Sequence, residues 1–420
     1  MALLTGLLIS LLLSGAAKPE TLFLDLNQTL NLALHHSPQA AEAGTDQTQA
    51  VLTTARGIAG LLPAPGASLS GYKSGTTTTW TGEVTISQVV FNPALFSGLV
   101  SAIINSGYYS ASARDRTARL ILSVTTDYLN LLRARYLLAA ATKAVKQAEA
   151  NYQLTEERFR LGQASKIDLL RSHTFLLQAQ LNQLSAEKGY AGAMSTLGAS
   201  TGISTGPVIV PVEELNPDPP AIQPESVRQQ VLCFNPGLKI NLKLNQVATL
   251  NLISACLRAL PAVSLFRRWQ YQDTAFPQSV SHWQDRTVRT DGIMLSFPIA
   301  DLAGFILNLG DALVARRRSR AELLKTRLEL STAVENALYG YQEAQQRYQQ
   351  ATTNLKLNQE LYELARARFQ LGALSLTELL EIETGLAQAE ATAISALCDI
   401  YIQSAQLGYL MGITRAGTKQ

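Results

Sequence analysis

The chain has 420 residues, enough for two or three ordinary domains, with 47% hydrophobic residues and a formal net charge of +3. That balance, with only 16% charged residues, gives no electrostatic footprint for nucleic acid. The nearest basic run, Arg316, Arg317, Arg318 and Arg320, reads as a solvated helix face.

In chain order, residues 1–17 are apolar from Ala2 through Leu13 and end in Ser14-Gly15-Ala16-Ala17, the pattern of a secretory signal peptide. No later stretch reaches the roughly 18 apolar residues of a spanning helix, so entry into a membrane requires a β-barrel. From Leu22 to about Leu62 the composition is helical, interrupted at Pro38. Trp80, Val84 and Ile86 then alternate with Thr81, Glu83, Thr85 and Ser87, predicting a strand with one apolar face. Ser74-Gly75-Thr76 is the expected turn, with a weaker partner strand over 67–72. Between Gly107 and Gly162 no Gly or Pro occurs, which allows a helix of about 80 Å at 1.5 Å per residue. A helix of that length needs a coiled-coil partner. Leu161-Gly162 ends it, and Ser165 with Asp168 restarts a return helix, to about Gly198, in capping-box spacing. Six prolines between Pro207 and Pro224 mark an irregular linker over 204–224.

The second half repeats this programme. Residues 158–170 read RFRLGQASKIDLL and residues 368–380 read RFQLGALSLTELL, an offset of 210 in a chain of 420. Ser37-Pro38 and Leu62-Pro63 are echoed by Asn235-Pro236 and Leu260-Pro261. Two landmarks in the same order establish an internal duplication. The second copy is expected as a helix over 225–260, strands over 261–299, a long helix from about Leu302 to Leu371, a tip, and a return helix from Leu376 to Leu410. In its strands Val263, Leu265, Trp269 and Tyr271 share one parity, as do Ile293, Leu295 and Phe297. Its Leu-Pro to strand-end serine spacing is longer than the first copy's, which places extra residues in the loop around 271–288. The implied divisions are a signal peptide (1–17), a first repeat (18–203), a linker (204–224), a second repeat (225–413) and a tail (414–420).

Two copies of helix, strand hairpin, very long helix, Arg-Phe-x-Leu-Gly tip and return helix resemble the TolC-like outer-membrane efflux proteins over about 22–413. The resemblance implies a mainly α-helical fold with a membrane β-barrel part: a homotrimer with a twelve-stranded barrel in outer-membrane lipid, continued by a periplasmic α-helical tunnel. It implies an exit duct for a tripartite pump or type I secretion system, with a periplasmic adaptor and an inner-membrane transporter as partners. Four strands cannot close a barrel alone, which independently requires oligomerisation if they span a bilayer.

Matched residue by residue, the resemblance places a periplasmic gate at Glu378, Glu381, Asp168, Phe369 and Leu374. Adaptor-docking tips fall at Arg160, Leu161 and Gly162, and at Gln370, Leu371 and Gly372. Phe369 and Leu374 replace a tyrosine and an arginine of some relatives, so closure here leans toward apolar contact. Capping is the competing role for Glu378 and Asp168, a solvated helix face for Glu381, and a plain helix stop for the two glycines. Cys233, Cys256 and Cys398 read as buried small hydrophobes with at least one free thiol. The His35-His36 doublet, His173 and His282 form no ligand pattern, and no GxxxxGK[ST], GxSxG or HExxH motif occurs. A non-enzyme without cofactor or metal is expected. The competing reading is a periplasmic coiled-coil adaptor or scaffold, disfavoured by two hairpins and by strands embedded between helices.

Overall fold

The computed structural model describes residues 21–203, 208–212, 215–216, 222–274, 276, 283, 287–297 and 302–413. The expected signal peptide, the C-terminal tail and much of the linker and of the 271–288 loop lie outside them. Two compact units form. A helical unit gathers the chain up to Ala43, Arg114–Asn235 and the residues from Ser331 onward. A strand-bearing unit gathers Gly44–Ala113 and Pro236–Leu330.

The elements follow the duplication. The first copy holds β1 (Thr21–Leu24), α1 (Leu26–His36), α2 (Pro38–Ala59), β2 (Ala64–Ser74), β3 (Thr77–Phe91), α3 (Pro93–Arg160) and α4 (Lys166–Thr201). After β4 (Val208–Pro211), the second copy holds α5 (Pro224–Phe234), α6 (Pro236–Leu257), β5 (Ala262–Asp273), β6 (Thr287–Ser296), α7 (Leu302–Gln370) and α8 (Leu376–Leu410). The proline landmarks are helix breaks, because proline lacks the N–H that continues the ladder and restricts the residue before it. The second copy therefore does not run as one helix over 225–260. It stops at Asn235, whose side-chain amide donates to the Leu410 carbonyl at 3.0 Å.

In the helical unit, Leu30 and Ala33 of α1 meet Leu120, Val124, Tyr128, Leu131 and Leu132 of α3 and Leu197 of α4 in one buried cluster. Asp25 and Gln28 close a capping box at the start of α1. The linker was expected to be irregular, yet β4 lies within it and pairs in parallel with β1, Phe23 opposite Val210. A four-residue strand with proline at its end has too little periodicity to show in sequence. Its partner lies almost a whole repeat away, and α3 holds both strands: the Tyr128 hydroxyl donates to the Leu24 carbonyl at 3.3 Å and Arg135 donates to the Pro211 carbonyl. Of the three thiols only Cys398 is buried; Cys233 and Cys256 are exposed in this chain, contrary to expectation.

In the strand-bearing unit, four antiparallel strands stand in the order β2-β3-β5-β6. β2 runs longer than the weak strand expected, because Ser74 pairs with Thr77 across a two-residue turn. Gly75 takes φ +62° there, the left-handed value a primed hairpin turn requires at its first central position.

Candidate functional site

Two features carry the function, one in each unit. In the sheet, directly paired residues point to the same face. The register sets Val84 opposite Trp269, Leu265 opposite Ile293 and Val263 opposite Leu295. All the apolar residues expected to alternate in β3, β5 and β6, Phe297 beyond the strand end excepted, therefore share one face with Trp80, Ile86 and, from β2, Ala67 and Leu69. The other face carries Ser68, Ser70, Thr79, Thr81, Glu83, Thr85, Arg268, Gln270 and Thr290, with Glu83 and Arg268 ion-paired at 3.2 Å. The first face also carries Arg267 and Arg289, both paired with Asp291 at 2.7 Å, and the second also carries Phe266 and Met294. A mainly apolar face backed by a mainly polar one, with its charges neutralised in pairs, is the dyad pattern of a barrel with lipid outside and water inside. The bulge between Val89 and Phe91 turns Phe91 to the apolar side, opposite Val263. The partner strand covers the span from Trp80 to Phe91 in ten residue steps, Asp273 to Val263, about 33 Å of strand, or about 25 Å of height at a 40° tilt. Aromatic residues thus bracket a band of roughly membrane thickness. At the Trp80 end, Trp283 stacks on Tyr271 with ring centroids 5.1 Å apart and fills the space a Cβ would need at Gly82.

In the helical unit, the two hairpin tips have the same backbone design. Gly162 (φ +74°) and Gly372 (φ +73°) occupy the left-handed region, and no atom lies within 4 Å of where a Cβ would stand. Gly162 N–H donates to Phe159 and Gln163 N–H to Arg158; Gly372 N–H donates to Phe369 and Ala373 N–H to Arg368. Each pair is a Schellman closure, which satisfies carbonyls the helix end would leave bare. Ser165 and Ser375 then cap α4 and α8, accepting from the backbone of Asp168 and Glu378 while those carboxylates accept from the serine N–H groups at 3.2 and 3.1 Å. The sequence left capping and gating open for Asp168 and Glu378, and both side chains are engaged in caps. The Ser375 N–H, followed by its hydroxyl, holds the Glu378 carboxyl below the usual glutamate range. Glu381, one turn on, is exposed. Leu161 and Leu371 are exposed at the two tips, as are Arg160, whose guanidinium meets Glu156 at 2.8 Å, and Gln370. Phe369 is buried with Tyr362, Ala365, Leu376, Leu379 and Leu386, and Leu374 packs on that cluster.

Several links between the hairpins were not anticipated, and three lie toward the tips. Arg158 donates to the Phe369 and Gln370 carbonyls at 3.1 and 3.2 Å, with its guanidinium 4.6 Å from the Phe369 ring centroid. Arg171 donates to the Thr377 hydroxyl at 2.5 Å. Asn151 donates to Glu383 at 2.7 Å. The arginine of the duplicated Arg-Phe pair was a signal for the first of these. The other two have no counterpart in the repeat, so nothing in the pattern marked them.

The profile of the family described as outer membrane efflux protein matches residues 29–203 and 261–413. No curated protein sequence matches the chain. Among solved structures the fold is similar to the Campylobacter jejuni CmeC outer membrane channel, with a TM-score of 0.78 at 17% identity, covering 92% of this chain and 85% of that one. It is similar to the outer membrane protein VceC of Vibrio cholerae, with a TM-score of 0.76 at 15% identity, covering 92% and 96%. The open state of the Neisseria gonorrhoeae MtrE outer membrane channel gives 0.77 at 17% identity, covering 92% and 88%. A two-faced four-stranded sheet, duplicated hairpin tips and a profile spanning both repeats lead to one conclusion: the chain belongs to the outer membrane efflux protein family, and its place is the outer membrane.

Proposed function

We propose that the protein is the passive exit duct of a tripartite efflux pump or type I secretion system, working as a homotrimer with a periplasmic adaptor and an inner-membrane transporter. The observation that carries this reading is the sheet. It has one mainly apolar and one mainly polar face, and its edge strands β2 and β6 have no further partner among the described strands. An open edge in lipid leaves backbone groups unsatisfied at several kcal/mol each, so copies of the same four strands joined edge to edge are the economical closure. Three copies would make twelve strands.

The tips support the second half of the reading. Exposed Leu161 and Leu371 beside rigid glycine turns offer a compact apolar point for an adaptor hairpin. Glu378 and Glu381 of three copies would ring the aperture, attract cations and give a divalent ion a place to bind. Phe369 and Leu374 would close it by apolar packing, with Asp168 holding the neighbouring hairpin start.

Single-channel conductance of the purified trimer in a planar bilayer tests this. Cation-selective openings are expected, blocked by a divalent cation and relieved of that block in the Glu378→Ala, Glu381→Ala double variant. Folded trimers that insert but conduct nothing would sink the duct reading.

A further inference from the structure

Glu383 is a carboxylate where the packing has little use for one. Its side chain is 97% shielded in the helical unit, two turns along α8 from Leu376, with a relative exposure of 3%. One oxygen accepts from the Asn151 amide of α3, and the other has no hydrogen-bond partner. Alongside runs a cavity of about 120 Å³ lined by Ala141, Gln147, Phe175, Ala179 and Leu386 among others. The charged and titratable groups facing this carboxyl are few. On α7 there are Arg366, exposed, and the Tyr362 phenol. Glu390 of α8 lines the same cavity and is paired with Lys143 of α3 at 2.7 Å. From α4 the cavity receives only Phe175, Gln178, Ala179 and Asn182. No cation is paired with Glu383 among the described residues. A buried carboxylate with one hydrogen bond and no counter-ion is expensive when charged and tolerable when neutral.

We propose that Glu383 is a proton-operated latch between the two hairpins: protonated, it lets α8 pack on α3 through Asn151, and ionised, it loosens that contact and favours opening at the tip. The inference rests on the duct reading for its consequence, but not for its physics. Burial, opposed by the Asn151 hydrogen bond and by Arg366, pushes the carboxyl up to about 7. A folded-state value raised above the unfolded one gives packing strength that is complete below the ordinary glutamate range of about 4.3 and is lost as pH rises through about 7. The window of the switch is therefore mildly acidic to neutral. It lies where neither Glu378, held low by its cap, nor an exposed glutamate titrates. The position matched in the first repeat is His173, which packs against Tyr152 with ring centroids 5.1 Å apart and planes tilted by 32°, so the duplication did not supply the latch.

Glu383→Gln keeps the shape and the Asn151 bond but can never ionise. Two readouts on the full-length trimer separate the latch from the duct. Hydrogen exchange of peptides covering 376–390 is compared between wild type and Glu383→Gln at the same pH. The variant is expected to exchange at least about tenfold more slowly at pH 8, with the difference shrinking on acidification and closing at about pH 4, below the ordinary glutamate range. In planar bilayers, wild-type open probability is expected to rise severalfold from pH 5.5 to 8 while Glu383→Gln stays low. Equal exchange of the two proteins at pH 8 overturns the latch even if both conduct normally. Slow exchange in the variant with no conductance from either protein upholds the latch and overturns the duct.

Discussion

The two hairpin tips are the same sentence folded twice, and the comparison between them separates what a repeat preserves from what it lets go. The backbone is preserved in full: Schellman closure at Gly162 and Gly372, capping boxes at Ser165 and Ser375. Burial is not. Phe159 is 38% exposed and its counterpart Phe369 is 5% exposed; Leu169 is half-buried where its counterpart Leu379 is buried, and Leu170 is exposed where its counterpart Leu380 is half-buried. Local signals act within a few residues and survive duplication without help. Packing depends on what a neighbour presents, and only the second tip receives Arg158 over its aromatic ring. The exposed apolar side chains of the first tip are surface that a further copy or an adaptor would cover.

Core substitutions are the largest lever on this difference. Leu379→Ala is expected to cost about 2–5 kcal/mol, against less than about 1.5 for the matched, half-buried Leu169→Ala, in denaturant unfolding of the detergent-solubilised protein. Equal costs would break the comparison and locate Leu169 inside an intersubunit contact. The arginines come next. Arg158→Ala removes two carbonyl hydrogen bonds and a cation–π contact, and about 1.5–3 kcal/mol is expected to be lost. The matched Arg368 is exposed, and Arg368→Ala should stay within about 0.5 kcal/mol in the same assay. Where the tips agree, the effects should agree. Gly162→Ala and Gly372→Ala each force a Cβ into the left-handed region at about 1–2 kcal/mol, and thermal unfolding should show the two shifts equal.

Much of this was legible in sequence because it is local or periodic. The Leu-Gly stops, the serine caps, the proline breaks and the apolar parity of β3, β5 and β6 each depend on spacing within a dozen residues. The β1–β4 pair was not legible: each strand has four residues, and its register is set by Tyr128 and Arg135 of a distant helix. Nor was the burial of Glu383, since a glutamate eight residues into a helix reads as solvated. What buries it is the approach of α3 from the other repeat, which no pattern along α8 encodes. Cys233 and Cys256 show the reverse. Their composition argued for the interior, and their helix faces left them outside.

The smallest expected effects lie in the caps, and there pH gives the comparison its finest test. Ser165→Ala and Ser375→Ala should each cost about 1 kcal/mol near neutral pH, because each removes the acceptor for a first-turn N–H. At the second tip the serine also holds the Glu378 carboxyl low, chiefly through its backbone N–H and then through its hydroxyl. A depressed folded-state value makes this contribution complete above the ordinary glutamate range, and it fades as pH falls through the lower folded value. Unfolding of wild type should therefore weaken on acidification in a way that Glu378→Gln does not, with the two curves meeting at low pH. The latch at Glu383 runs in the opposite sense, tightening as the pH falls. Curves recorded in the Glu383→Gln background would isolate the cap, and an acid dependence that persists unchanged in Glu383→Gln, Glu378→Gln would assign it to neither carboxylate.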